Sequence, residues 1–179
     1  GLTYHTEKRY GLALESFSRA REFAPTYGQT AYFQGWALYY MGQPVDAQKA
    51  ALWYLQGSPE NADAHFLLGL LAYEQGDLEE ASSRLNRSVF LFENLTKPQG
   101  KDVGKALVRL ADVQMQQGNI ESAYDSLAKA VTLIPESPEV HYKIAQVLRR
   151  QGLVDQAAQS QKIYETLWEK EHPTTSFPE

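Results

Sequence analysis

Residues 62–95, ADAHFLLGLLAYEQGDLEEASSRLNRSVFLFENL, decide how the rest of the chain is read. Apolar side chains recur at Phe66, Leu67, Leu70, Leu71 and Tyr73, and again at Leu78, Ala81, Leu85, Val89 and Phe92. Both runs follow the three-to-four spacing of a helical stripe. A tight turn at Gln75-Gly76-Asp77 separates them, so the stretch predicts a helix–turn–helix. Neither helix can bury its stripe alone, and copies of the unit are therefore expected on both sides.

The copies are present. Turn glycines fall at Gly42, Gly76, Gly118 and Gly152, at intervals of 34, 42 and 34 residues. An alanine stands five residues after each, at Ala47, Ala81, Ala123 and Ala157, and Ala13 lies 34 residues before Ala47. Prolines close the units at Pro25, Pro59 and Pro135, spaced by 34 and 76. Three residue types share one ruler, so the repeat is genuine.

A 34-residue helical hairpin with this pattern resembles the tetratricopeptide repeat (TPR) family. The residues that carry the likeness are Pro59, Leu68-Gly69, Gly76-Asp77, Ala81 and Leu85 in the central unit. Gly35, Gly42, Ala47 and Tyr54 carry it before that unit. After it come Leu110-Ala111, Gly118, Ala123, Leu127, Ala130 and Pro135, then Ile144-Ala145, Gly152 and Ala157. Small residues suit close helix crossings, glycine suits a helix end that leads into a turn, and proline cannot continue a helix. The resemblance implies an all-α, right-handed solenoid of antiparallel helix pairs with four full repeats and a partial N-terminal one. It leaves function open, because such folds host many binding tasks.

On this ruler residues 1–27 form the partial repeat, and the chain is expected to begin inside a repeat. Leu14, Phe17, Ala20 and Phe23 are expected to face inward from its second helix, about Tyr10 to Ala24. Full repeats follow at 28–61, 62–95, 104–137 and 138–171. The ruler slips by eight residues at 96–103, TKPQGKDV, where Pro98 and Gly100 predict an insertion loop. Glu93 stands where other units have proline, so the helix before the slip is expected to run long. Ser137-Pro138-Glu139 makes a good helix start. The last helix is rich in Gln156, Gln159 and Gln161, as a capping helix is, and residues 172–179 form a tail expected to be poorly ordered.

Composition narrows the function classes. The chain has 179 residues, 43% of them hydrophobic, which suits one domain with a continuous core. A net charge of −5 counts against a general nucleic-acid binder. There is no cysteine, hence no disulfide and no thiolate chemistry. No apolar run reaches membrane length, so insertion into a membrane is not expected; the compartment stays open. No nucleophile elbow or phosphate loop is present. His65 and His141 lie 76 residues apart and so share one place in two repeats. By analogy with the large residue the family keeps there, they are expected to pack, not to bind metal. No catalytic residue, metal or cofactor is assigned.

What remains is surface. In the family, first helices line the concave groove at offsets −3, +1, +4 and +5 from their small residue, the last nearer the edge. The resemblance then implies a ligand groove lined at these offsets by Tyr32, Trp36, Tyr39, Phe66, Leu70, Tyr73, Tyr142 and Arg149, with Lys105 and Arg109 at its basic end. Tyr40, Glu74, Val108, Asp112, Met115, Gln116, Gln146 and Arg150 occupy the same offsets, and Leu2 and His5 extend the lining. Such a groove runs from aromatic to basic, and part of the aromatic content could equally be core. Some family members clamp a peptide's C-terminal carboxylates. Lys105 and Arg109 match one pair of that clamp, but Tyr32, Trp36 and Leu67 stand where it needs polar groups, which argues against it. The expected function is a non-catalytic scaffold binding a peptide or protein segment in the groove. Self-association into a homo-oligomer is the second reading.

Overall fold

A computed structural model describes residues 2–23, 29–95 and 100–173. The described residues form ten helices and no strand. They are α1 (Leu2–Thr6), α2 (Tyr10–Phe23), α3 (Gln29–Tyr40), α4 (Pro44–Gly57), α5 (Ala62–Glu74), α6 (Leu78–Glu93), α7 (Gly100–Gln116), α8 (Ile120–Leu133), α9 (Pro138–Arg150) and α10 (Val154–Glu171). The chain divides into two compact units, Gly1–Leu91 and Phe92–Glu179.

The ruler glycines end the first helix of each hairpin. Gly42, Gly76, Gly118 and Gly152 have φ of 70°, 80°, 81° and 78°, the left-handed region where a side chain is strained. The next residue's amide then donates to a carbonyl five residues back: Gln43 to Leu38, Asp77 to Ala72, Asn119 to Gln114 and Leu153 to Leu148, at 2.8–2.9 Å. The glycine amides donate as well, to Tyr39, Tyr73, Met115 and Arg149 at 3.0–3.3 Å, and this double closure satisfies carbonyls left open at the helix end and turns the chain toward its partner helix. Helix starts are capped more variably. Asn61 Oδ1 accepts from the Ala64 amide at 2.8 Å and Asp77 Oδ1 from Glu80 at 3.0 Å. Pro138 does open α9, but the Ser137 hydroxyl makes no capping bond.

In the first unit Leu38, Ala47, Ala51, Leu67, Leu68 and Leu71 form one buried cluster. Gly69 sits against Leu85, so near that a Cβ there would lie 2.6 Å from Leu85 Cγ. In the second unit Ala106, Leu110, Val113, Leu127, Val140 and Val147 are buried. Gly104 faces Ile134 in the same way, though less tightly, with Cγ1 2.9 Å from where a Cβ would stand.

Two expectations change. Residues 100–103, expected as loop, are the first turn of α7, which has 17 residues against 13 in α5 and in α9. Val103 is buried and continues the stripe of Ala106, Leu107 and Leu110 upward by one turn, and that burial favours helix over loop. Residues 96–99 of that segment lie outside the described residues, as does most of the tail, 174–179. Ala20 and Phe23 face outward, Phe23 being 89% exposed, while Phe17 is buried and stacks on Phe33 with ring centroids 5.4 Å apart. As Glu93 in place of proline leads one to expect, α6 runs longer than α4 or α8, 16 residues against 14.

Candidate ligand-binding faces

The aromatic and basic ends of the expected lining fall in different units. In the first unit, α3 and α5 lie side by side. Tyr39 Oη donates to Glu74 Oε1 at 2.7 Å, and the Trp36 and Phe66 rings are 6.1 Å apart. Tyr40 stacks on Trp36 at 5.8 Å and on Tyr10 at 4.7 Å, and His5 meets Tyr40, Tyr10 and Phe33 edge-on. Tyr32 leans on Phe33 and Tyr54. Tyr32, Trp36, Tyr39, Phe66, Leu70 and Tyr73 are all half-buried, and Trp36 and Tyr39 pack against the core cluster. So these side chains serve the fold as well as the surface. Tyr40, at the groove-edge offset, is the ring that stands out, 51% exposed. Burial and the neighbouring Tyr10 push its phenol above the usual range, so it stays neutral. Desolvation lowers His5 below the usual imidazole value.

In the second unit, α9 lies beside α7. Arg109 pairs with Asp112 at 3.2 Å and Glu139 at 2.9 Å, Lys143 pairs with the same Asp112, and Arg150 donates to the Met115 carbonyl at 3.0 Å. Lys105 pairs with Asp102 at 3.3 Å. The basic end is therefore largely neutralised by the chain's own carboxylates. Buried Asp112, far from lining a groove, holds two cations, as a buried charge requires. Val108 and Met115, also expected in the lining, are buried. Their counterparts one repeat later, Tyr142 and Arg149, are exposed, Tyr142 at 39%. Tyr142 meets Tyr164, and Arg149 donates to Gln161 at 3.0 Å.

His65 and His141 are buried and play one structural role twice. Nε2 lies 3.0 Å from the Pro59 carbonyl in the first case and 2.8 Å from that of Pro135 in the second. A carbonyl only accepts, so Nε2 carries the proton. The recurrent Pro-x5-His spacing thus ties each inter-hairpin turn to the following helix, a bond whose signal was in the ruler all along. At His65, Arg84 reaches Nδ1 at 3.4 Å, and burial lowers the imidazole below its usual value. Among the described residues no three His, Asp or Glu side chains gather as metal ligands, and no helix is long and apolar enough to cross a membrane.

Helix hairpins on one ruler, with first helices side by side inside each unit, define a helical-repeat protein. The chain belongs to the tetratricopeptide repeat family, whose model matches residues 32–89 and 101–171. Proteins of this fold generally mediate protein–protein interaction, and the family is generally non-catalytic. Among solved structures, it is similar to crystalline MamA with TM-score 0.79 and 19% identity over 96% of this chain and 95% of that one. PilF of Pseudomonas aeruginosa gives TM-score 0.81 and 20% identity over 93% and 72%. YrrB, described as a TPR protein with an unusual peptide-binding site, gives 0.71 and 16% over 92% and 81%. At these identities the likeness is one of fold, the TPR solenoid. No curated protein matches the sequence.

Proposed function

We propose that this chain is a non-catalytic scaffold that binds a segment of another protein, and that the first-helix face of the first unit is its principal binding surface. One observation carries the reading. Tyr40 keeps half its surface open while stacked between Tyr10 and Trp36, so a large ring is held rigid and presented outward. Rigid aromatics lose little entropy on binding and are frequent anchors. The peptide-binding site described for the similar YrrB fits this reading. Tyr142, Arg149 and the half-exposed Arg109 are the corresponding candidates in the second unit, with Lys105 beside them.

The test compares wild type with Tyr40→Ser. Tyr40 is at the surface, so the variant should melt within a few degrees of wild type. A partner captured by wild type should be lost by the variant. Equal capture by both at matched stability would refute the surface.

Self-association is the second reading, favoured by the exposed Leu153, Val154 and Ile163 of the second unit. Light scattering separates the two: a dimer that dissociates on Val154→Lys supports assembly, and a concentration-independent monomer supports an outside ligand.

A further inference from the structure

The C-terminal ends of α3 and α5 meet in the first unit. α3 ends at Tyr40 and α5 at Glu74, and neither has a basic residue in its last turn. A helix C-terminus carries partial negative charge and favours a cation. Glu74 adds a full charge. It is exposed, is oriented by Tyr39 Oη at 2.7 Å, and has no lysine or arginine within ion-pair distance among the described residues. Tyr39 in turn packs against the Tyr40 and Trp36 rings, with centroids 5.5–5.8 Å apart, and such apolar surface suits the aliphatic stem of a basic side chain.

The second unit shows what belongs in such a place. Seventy-six residues on, Met115 and Arg150 stand where the first unit has Tyr39 and Glu74. There α9 carries Arg149 and Arg150 in its last turn, and the Arg150 guanidinium donates to the Met115 carbonyl at the end of α7. The second unit supplies its own cation to the paired helix ends. The first unit has a carboxylate and exposed aromatic surface instead.

Resting on the binding surface proposed above, we propose that this corner of Trp36, Tyr39, Tyr40 and Glu74 takes a lysine or arginine side chain of the bound protein segment. Its cation meets Glu74 and the two helix ends, and its aliphatic stem lies along the rings. The ligand of the first unit is therefore apolar with a basic anchor, the charge opposite to its site.

The experiment titrates the full ¹⁵N-labelled chain with N-acetyl-arginine amide and, separately, with the neutral N-acetyl-norleucine amide. Saturable shifts of the Trp36 indole N–H and the Glu74 amide are expected with the arginine probe. Binding should be at least about fivefold weaker for norleucine, and weakened about fivefold in Glu74→Gln, as expected for an exposed ion pair reinforced by two helix C-termini. Glutamine keeps an acceptor for Tyr39, so the corner retains its shape. Equal binding of norleucine at these residues, no effect of Glu74→Gln, or shifts that never saturate would each overturn the basic anchor. The binding surface itself would still stand on the Tyr40→Ser comparison, which fails separately if partner capture is unchanged.

Discussion

The packing of α5 on α6 can be tested by a pair of substitutions whose effects should not add. Leu85 is fully buried, and its Cγ lies 2.6 Å from where a Cβ on Gly69 would stand, with Cδ2 at 2.9 Å and the Leu85 amide nitrogen at 3.4 Å. Leu85→Ala removes the buried branch and should destabilise the protein by about 2–5 kcal/mol. Gly69→Ala forces a methyl against a branched carbon with no room to swing away. Overpacking of that kind costs about 1–3 kcal/mol, against which the better helix propensity of alanine returns up to about 1 kcal/mol. In the double variant the obstructing carbons are gone and the remaining 3.4 Å approach is ordinary contact. Gly69→Ala should then be neutral or stabilising on the Leu85→Ala background, so the double-mutant cycle shows a coupling of about 1–3 kcal/mol. Urea melts followed by circular dichroism measure it. Additivity within about 0.5 kcal/mol, or a Leu85→Ala effect below about 0.5 kcal/mol, as at an ordinary surface site, would refute this packing.

Two further stability predictions are independent of ligand. Because burial lowers the His65 pKa below 6.5, the unfolded chain takes up the proton first; the contribution of neutral His65 is complete above pH 6.5 and declines as pH falls from there toward the folded-state value. His65→Gln should flatten the melting temperature against pH over that window, and an unchanged slope would contradict it. Asp112→Ala leaves the mostly buried Lys143 with only its longer 3.8 Å pair to Glu139 and should cost up to about 3 kcal/mol in denaturant melts. Lys143→Met on that background should recover part of the loss, and no recovery would show that the pair does not act as one.

Much of the fold could be read from the chain because one backbone device repeats. A glycine in the left-handed region recurs at a fixed distance before a buried alanine, and both ends of that device are local in sequence. Gly35, Gly69, Ala111 and Ala145, chosen as the small first-helix residues, are all buried. What could not be read depends on neighbours. Val108 and Tyr142 share an offset, yet one is buried and the other exposed. The outward face of Phe23 and the extra turn at 100–103 were likewise decided by which stripe finds a surface to cover it. Pro98 and Gly100 pointed to a loop, but burial of Val103 outweighed them. The charge balance of the basic end was not legible for an electrostatic reason: Glu139, at the place Lys105 holds one repeat earlier, and Asp112 absorb the charge of Arg109 and Lys143. At the aromatic end the residue types were legible. The hydrogen bond joining Tyr39 to Glu74, across 35 residues, was not.

The central claim, that the first unit's aromatic face binds a protein segment, is tested most directly by measuring stability and partner affinity on the same Trp36→Ala protein. Trp36 lies between Tyr40, which is exposed, and the core cluster, so its ring serves both surfaces. If the face binds ligand, partner affinity per folded molecule falls by about 2 kcal/mol or more, the size of a hot-spot aromatic, while the chain stays folded. If Trp36→Ala instead unfolds the unit and the molecules that remain folded bind the partner as tightly as wild type, the aromatic face is core and the claim is wrong.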